Sequence, residues 1–207
     1  MDDLLLETAA ARPVPLLRLY AWTAPAASFG YFQRVKEVEA TTPLRPLVRR
    51  PTAGGVVPHD CDWTYSLTFP PSHEWWGWRA CESYRRLHLW IQASLECFKM
   101  PTELARERDK TDPLQCFAGP DPLDVVAQGS KVAGAAQRRN KRGLLIQGSV
   151  QLPGSPDRAR WEHSLLDAAK RQWGVGFNAW APPRDWGRQV RVRTSETFGN
   201  EAFLRRR

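Results

Sequence analysis

Apolar and polar positions alternate along this chain with two distinct periods. Between Arg79 and Phe98, the positions Tyr84, Leu87, His88, Ile91, Leu95 and Phe98 recur at helical spacing, with Arg85, Arg86, Gln92 and Glu96 off that stripe. A second helix is predicted from Arg158 to Trp173, where Trp161, Leu165, Ala169 and Trp173 repeat every four residues. Pro153-Gly154-Ser155-Pro156 stops whatever precedes it, Asp157 caps its start and Gly174 ends it. Period-two or short apolar runs predict strands at Leu16–Trp22, SFGYFQ after Pro25, Leu47–Arg50, Val56-Val57, Trp63–Phe69 and Leu144–Leu152. Leu123–Ala127 and Ser130–Gln137 read as a hairpin turning at Gln128-Gly129, with a charged loop at 138–142. Val35–Ala40 reads as a short helix, Pro101–Pro113 as a charged loop, Cys116-Phe117 as the start of the central β region, and Glu196–Leu204 as a short terminal helix. Strands arriving in hairpin-like pairs favour an α+β class, a mainly antiparallel sheet with helices packed on one side, over a doubly wound parallel sheet.

The 207 residues predict a single domain over 1–207, large enough to bury a core. The start, MDDLLLETAAARPVP, carries acid where a secretory signal carries base, and no apolar run approaches the roughly 18 residues a bilayer needs, so a soluble, cytoplasmic protein without a membrane partner is expected. Cys61, Cys81, Cys97 and Cys116 are irregularly spaced without a CxxC pair and are expected to be free thiols.

A net charge of +8 calls for an anionic partner. The basic residues cluster at Arg45 with Arg49-Arg50, at Lys131 through Arg142, and at Arg205–Arg207, the last reading as a solvated tail. Nucleic acid fits poorly, because no zinc finger or RNP motif accompanies them and Trp63, Trp90, Trp161 and Trp173 lie in patterns that suit core packing.

Candidate chemistry concentrates between Cys116 and Gly148. Lys131 sits just past the predicted hairpin tip, and Gly129, Ser130, Gly134, Ala135 and Ala136 leave the backbone bare for a ligand to lie along it. Taken alone, the segment also fits a solvated hairpin with a surface lysine. A second glycine-rich loop, Pro51-Thr52-Ala53-Gly54-Gly55, flanked by Arg49 and Arg50, strengthens the ligand reading. Standard motifs are excluded: Gly129-Ser130-Lys131 lacks Walker order, residues 50–55 lack GxGxxG spacing, and no GxSxG elbow is present. His59-Asp60-Cys61 would point to alternate faces of a strand, which argues against a metal site, and His88 reads as a half-buried stripe residue.

LLRLYAW, SFGYFQ, VRRPTAGGVVPHD with WTYSL, and GSKVAGAAQRR with GLLIQGS resemble, in order and spacing, the signature blocks of the lipoate-protein ligase and lipoyl-pathway octanoyltransferase family. The likeness covers roughly residues 1 to 175 and begins with MDDLLLE, similar to the family's opening helix. It implies the fold shared with biotin-protein ligases and class II synthetases, without the C-terminal accessory domain of many ligases. It also implies that Arg49, Arg50, Thr52, Ala53, Gly54 and Gly55 form the loop over the acyl chain, with His59 and Asp60 supporting it. Lys131 would hold the acyl carbonyl, in a slot that includes Gly129, Gly134, Ala135 and Gln137.

Cys116 and the following GSK resemble the segment that carries the nucleophilic cysteine in one octanoyltransferase branch, and Lys131 with Arg138-Arg139 would favour its ionised form if the strands bring them together. The implied activity is transfer of an octanoyl or lipoyl group, from an acyl-carrier protein, to a lysine of an acidic lipoyl-domain protein through an acyl-cysteine, with neither cofactor nor metal. The alternative is an ATP- and Mg-dependent ligase that activates free lipoate as an adenylate. A non-catalytic or nucleic-acid-binding member is the further alternative. Ala53 stands where the family often has glycine, and Gln147 where histidine is common.

Overall fold

A computed structural model of the chain describes residues 1–154 and 156–206; Ser155, in the predicted stop at 153–156, and Arg207, the end of the predicted solvated tail, lie outside the described residues. The strands are β1 (Leu16–Tyr20), β2 (Ala26–Phe29), β3 (Leu47–Arg49), β4 (Val57–His59), β5 (Trp63–Phe69), β6 (Glu103–Leu104), β7 (Val125–Ala127), β8 (Ser130–Asn140) and β9 (Gly143–Val150). The helices are α1 (Asp2–Glu7), α2 (Val35–Thr41), α3 (Glu74–Gly77), α4 (Ala80–Leu95), α5 (Arg158–Trp173), α6 (Trp186–Arg193) and α7 (Glu201–Leu204). The main sheet runs β1-β5-β9-β8-β7-β6 with every pairing antiparallel. A small sheet, β3-β2-β4, pairs β2 parallel with β3 and antiparallel with β4. The predicted α+β class holds.

β5 explains how the layers stack. Trp63, Tyr65, Leu67 and Phe69 alternate toward one face, where they join Leu87, Trp90, Ile91 and Leu95 of α4 and Trp161 and Leu165 of α5 in the main core. Thr64, Ser66 and Thr68 point the other way and are buried as well, so that face needs both cover and hydrogen-bond partners. α1 supplies them: the Ser66 hydroxyl donates to Asp2 Oδ1 at 3.1 Å, and Leu4 and Leu5 pack with Leu16 and with Trp186 of α6. Helices therefore cover both faces of the sheet, a correction to the one-sided packing expected.

The helix ends follow their capping residues. Asp157 Oδ1 accepts from the Ala159 amide at 2.9 Å, and Gly174 closes α5 in the left-handed region with φ 66°. Trp63, Trp90 and Trp161 are buried in the core, and Trp173 packs against it.

Some elements differ from the pattern-based reading. β8 runs on to Asn140, so Arg138 and Arg139 are strand residues, and the turn is at Lys141-Arg142, where Asn140 Oδ1 accepts from the Arg142 amide at 2.8 Å. Opposite faces satisfy the two charges: Arg138 reaches Asp3, and Arg139 donates to the Trp76 and Trp78 carbonyls. Cys116-Phe117 is loop, tied to the rest by a bridge between Val56 and Gln115. α6, which the polar tail hides, forms around Trp186 and Val190, spaced one turn apart and seated on α1. The predicted helix at 196–204 divides into a π turn at Thr194–Phe198 and α7. Among the described residues no helix is long and apolar enough to cross a membrane.

Candidate active site

The β7–β8 hairpin sets the site. Gln128 and Gly129 take φ 49° and 77°, the two positive angles that a tight primed turn requires. Val125 then pairs with Ala133 while Val126 pairs with Lys131, so Val132 is an extra residue in β8. In a regular strand, residues three apart face opposite sides; this bulge puts Lys131 and Gly134 on the same one. A Cβ at Gly134 would stand 2.5 Å from Lys131 Cε and 2.7 Å from Nζ, so the bare glycine is the seat of the lysine. Lys131 is consequently buried, its side chain 2% exposed, and is not the solvent-facing hairpin tip its sequence position suggests.

There its ammonium meets Asp124 Oδ2 at 2.7 Å, the Cys116 carbonyl at 3.0 Å and the Cys116 sulfur at 3.3 Å, with the Phe117 ring beneath it. Burial by itself pulls the lysine pKa down, but Cys116 and Asp124 together outweigh it, and the net shift is upward. The lysine stays a cationic donor.

The second glycine-rich loop closes over the same point. Arg50, buried, donates from Nη2 to the Ala53 and Gly55 carbonyls, each at 2.8 Å, and from Nη1 to Ser28 Oγ at 3.3 Å. The Val56 amide donates to the Leu114 carbonyl at 2.7 Å, and the Cys116 amide to the Val56 carbonyl at 2.8 Å. The arginine thus shapes the glycine loop, and the loop in turn fixes the backbone of Cys116.

These groups border a cavity of about 550 Å³. Of the residues expected at the site, Cys116, Lys131, Arg49, Arg50, Gly54, His59, Gly134 and Ala135 line it. Arg49 binds the carbonyls of Tyr31, Gln33, Leu204 and Arg206, tying α7 to the small sheet. Thr52 is buried behind the wall, its hydroxyl donating to Gln147 Oε1 at 2.9 Å; Ala53 is exposed, and Gly55 lies against the backbone of Leu114 and Cys116. Gly129 remains at the exposed turn, and Gln137 accepts from Ser83 Oγ at 3.2 Å, away from the lining. Arg138 and Arg139, engaged with Asp3 and with the tryptophan carbonyls, are not among the groups around Cys116.

Asp60 is exposed, and among the described residues its carboxylate accepts only from the adjacent Cys61 amide. The residue beneath His59 is Asp62, whose Oδ2 meets His59 Nδ1 at 2.8 Å and accepts from Thr64 and Ser149 at 2.9 and 2.7 Å. His59 Nε2 reaches Ser28 Oγ at 2.7 Å and its ring stacks on Trp22. Pattern reading also missed Asp124 and Asp2, which accepts from Gln147, Arg18 and Ser66. LDVVA and CDWTY each set a carboxylate directly before an apolar strand, but that local pattern does not separate Asp124 and Asp62 from solvent-facing acids until the strands are paired. All four cysteines are free.

Residues 1–170 match the family model described as the lipoyl protein ligase A/B catalytic domain. The octanoyltransferase LipM of Kyrpidia tusciae is 36% identical over 154 residues, which cover 69% of this chain and 56% of that protein. The octanoyltransferase LipM of Staphylococcus aureus is 36% identical over 166 residues, 72% of this chain and 59% of that protein. The chain spans just over half the length of these relatives. A lipoate-protein ligase A bound with ATP superposes with a TM-score of 0.77 over 99% of this chain and 91% of its own, at 16% identity. A bi-partite lipoate protein ligase from Thermoplasma acidophilum does so with 0.71 over 99% and 91%, at 14% identity. At such identities these two structures establish the shared fold, and the family model places residues 1–170: the chain belongs to the lipoyl protein ligase A/B catalytic domain family.

Proposed function

We propose that the chain moves an octanoyl or lipoyl group from a carrier-protein thioester to a lysine of a lipoyl-domain protein, through an acyl thioester on Cys116. The observation that carries this reading is the 3.3 Å contact between Lys131 Nζ and Cys116 Sγ at the wall of the cavity. The Cys116 thiolate attacks the donor carbonyl, a carbon–sulfur bond forms, and the carrier thiolate leaves and takes up a proton. The Lys131 ammonium offers a charged donor to the carbonyl oxygen, where negative charge develops. In the second half, the neutral amine of the acceptor lysine attacks the acyl-cysteine, the carbon–sulfur bond breaks with Cys116 leaving as thiolate, and the nitrogen of the new amide gives up one proton to solvent. Gly134, Ala135, Ala136 and Gly148 give the acyl chain a wall of small residues, and exposed basic side chains such as Lys141 offer an acidic lipoyl domain a complementary surface.

The LipM relatives are named octanoyltransferases, which supports a thioester donor over adenylation and leaves no call for ATP or Mg. A cytoplasmic location belongs to the same reading. The test is intact-mass analysis after incubation with octanoyl-carrier protein. One hydroxylamine-labile octanoyl group should appear, and Cys116→Ala, but not Cys97→Ala, should prevent it. Full transfer by Cys116→Ala, together with a requirement for ATP, would replace this reading with the adenylating one.

A further inference from the structure

His88 sits within α4, 2% exposed, on the border of the cavity. Its Nδ1 lies 2.6 Å from the Leu123 carbonyl, which can only accept, so Nδ1 carries the hydrogen and Nε2 the lone pair. Nε2 is buried and has no hydrogen-bond partner among the described residues. An apolar residue would fill this stripe position without leaving a polar atom unsatisfied, so what histidine adds is the bond to Leu123.

That bond falls at a place where the backbone needs support. Leu123 has φ 75°, a region that leucine rarely occupies unless its surroundings hold it there. Two further bonds, from the Leu123 amide to the Ala105 carbonyl and from the Ala105 amide to the Asp124 carbonyl, each 2.8 Å, fasten the same turn to the sheet edge. The next residue is Asp124, whose Oδ2 accepts from the Asp121 amide at 2.8 Å and pairs with Lys131 at 2.7 Å. A continuous path of contacts thus runs from His88 through Leu123, Asp124 and Lys131 to the Cys116 sulfur.

We infer that His88 is a positioning residue: through the Leu123 carbonyl it sets the Asp124 carboxylate, which holds the Lys131 ammonium against Cys116. The consequence for acyl transfer rests on the reading given above, whereas the effect on the Cys116–Lys131 pair does not. The sulfur is faced by Lys131 directly and, at longer range, by Arg50 and Tyr84, and Asp124 stands behind the lysine. Of these, His88 reaches Asp124 and Lys131 through the path described, and its ring also stacks on Tyr84 with centroids 6.1 Å apart, a contact that His88→Asn and His88→Gln remove alike.

The test needs no acyl substrate. Alkylation of Cys116 by iodoacetamide, followed peptide by peptide across pH, is compared in the wild type and in His88→Leu, His88→Gln and His88→Asn, with thermal melting in parallel. The asparagine amide nitrogen falls near the Nδ1 position and can still donate to Leu123; the glutamine nitrogen falls near Nε2 and cannot. Leucine and glutamine should move the profile to higher pH and slow alkylation near neutrality roughly tenfold, the loss typical of removing a group that orients a reactive one, and asparagine should restore it. Unchanged profiles, or rescue by glutamine in place of asparagine, would overturn the inference. If the leucine variant does not fold, the contrast between asparagine and glutamine decides. A wild-type protein that shows the profile shift in its variants but never accepts octanoyl would sink the acyl-transfer reading and leave this one standing.

Discussion

Gly134 gives Lys131 its place: the lysine's terminal carbon lies 2.5 Å from where a Cβ of residue 134 would be. Gly134→Ala should therefore displace the ammonium while leaving the strand pairing of β8 intact. A misplacement of about 1 Å can cost roughly 100-fold in rate, and a loss of that order in octanoyl transfer, with an unchanged far-ultraviolet spectrum, is expected. Full activity of the alanine variant would show that the lysine has room to move aside without consequence.

Lys131→Ala removes more than a donor. The lysine and Asp124 are both buried, and stripping one partner leaves the carboxylate uncompensated, so the variant should lose about 3–5 kcal/mol of stability as well as its activity. A hairpin-tip lysine in solvent would cost almost nothing to remove. Urea denaturation separates the two cases. The double variant Lys131→Met with Asp124→Asn should recover much of the stability and none of the transfer.

The two aspartates after His59 should behave oppositely. Asp62→Ala orphans His59, Thr64 and Ser149 at once and should destabilise the protein by about 3 kcal/mol, since each buried donor left unpaired carries a cost. Asp60→Ala alters an exposed carboxylate and should leave the melting temperature within a degree of wild type. A reversal of this order would return the supporting role to Asp60.

That pair shows which parts of the site can be read from sequence. The stripes of α4 and α5, the strand at Trp63–Phe69 and the turn at Gln128-Gly129 follow from periodicity and from the left-handed preference of glycine, both local properties. Lys131 stands out as a glycine-flanked lysine, whereas Cys116, one of four thiols, is singled out by the resemblance of its segment to that of an octanoyltransferase branch. The inward turn of Lys131 depends on the bulge at Val132, which no period announces. Asp62 in place of Asp60 depends on where β4 ends, and Asp124 and Asp2 are recognisable only once β5, β7, β8 and β9 lie side by side. Tertiary pairing decides these assignments, and a charged residue in the sequence carries no mark of whether its partner is solvent or a buried cation.

His88 should also leave a signature in stability. Burial holds its pKa below the ordinary imidazole value of about 6.5, with Asp124 opposing only in part, so the folded protein carries it neutral. An unfolded chain takes up a proton below that value while the folded one does not. The stability contributed by the neutral ring is therefore present above about pH 6.5 and is lost as pH falls through the depressed folded pKa. Urea midpoints measured between pH 7 and pH 5 should fall less steeply for His88→Leu than for the wild type. Parallel curves would mean that the ring is protonated in the fold, or free to become so.

Gly55 and Gly129, both glycines of the glycine-rich segments, make the sharpest contrast. A Cβ on Gly55 would stand 2.7 Å from the Leu114 carbonyl oxygen and 2.9 Å from the Cys116 amide nitrogen, backbone atoms that can yield only by moving the loop that carries Cys116. Gly55→Ala should accordingly slow acylation of Cys116, read by single-turnover mass analysis, by roughly 100-fold. A Cβ on Gly129 meets nothing within 4 Å, and the residue lies outside the cavity lining, so Gly129→Ala should cost only the strain of an L-residue at φ 77°, about 1 kcal/mol, and leave the acylation rate alone. Equal effects of the two substitutions on acylation would mean that the link between the residue 51–55 loop and Cys116 does not set the position of the sulfur, and the route from Arg50 to Cys116 would have to be abandoned.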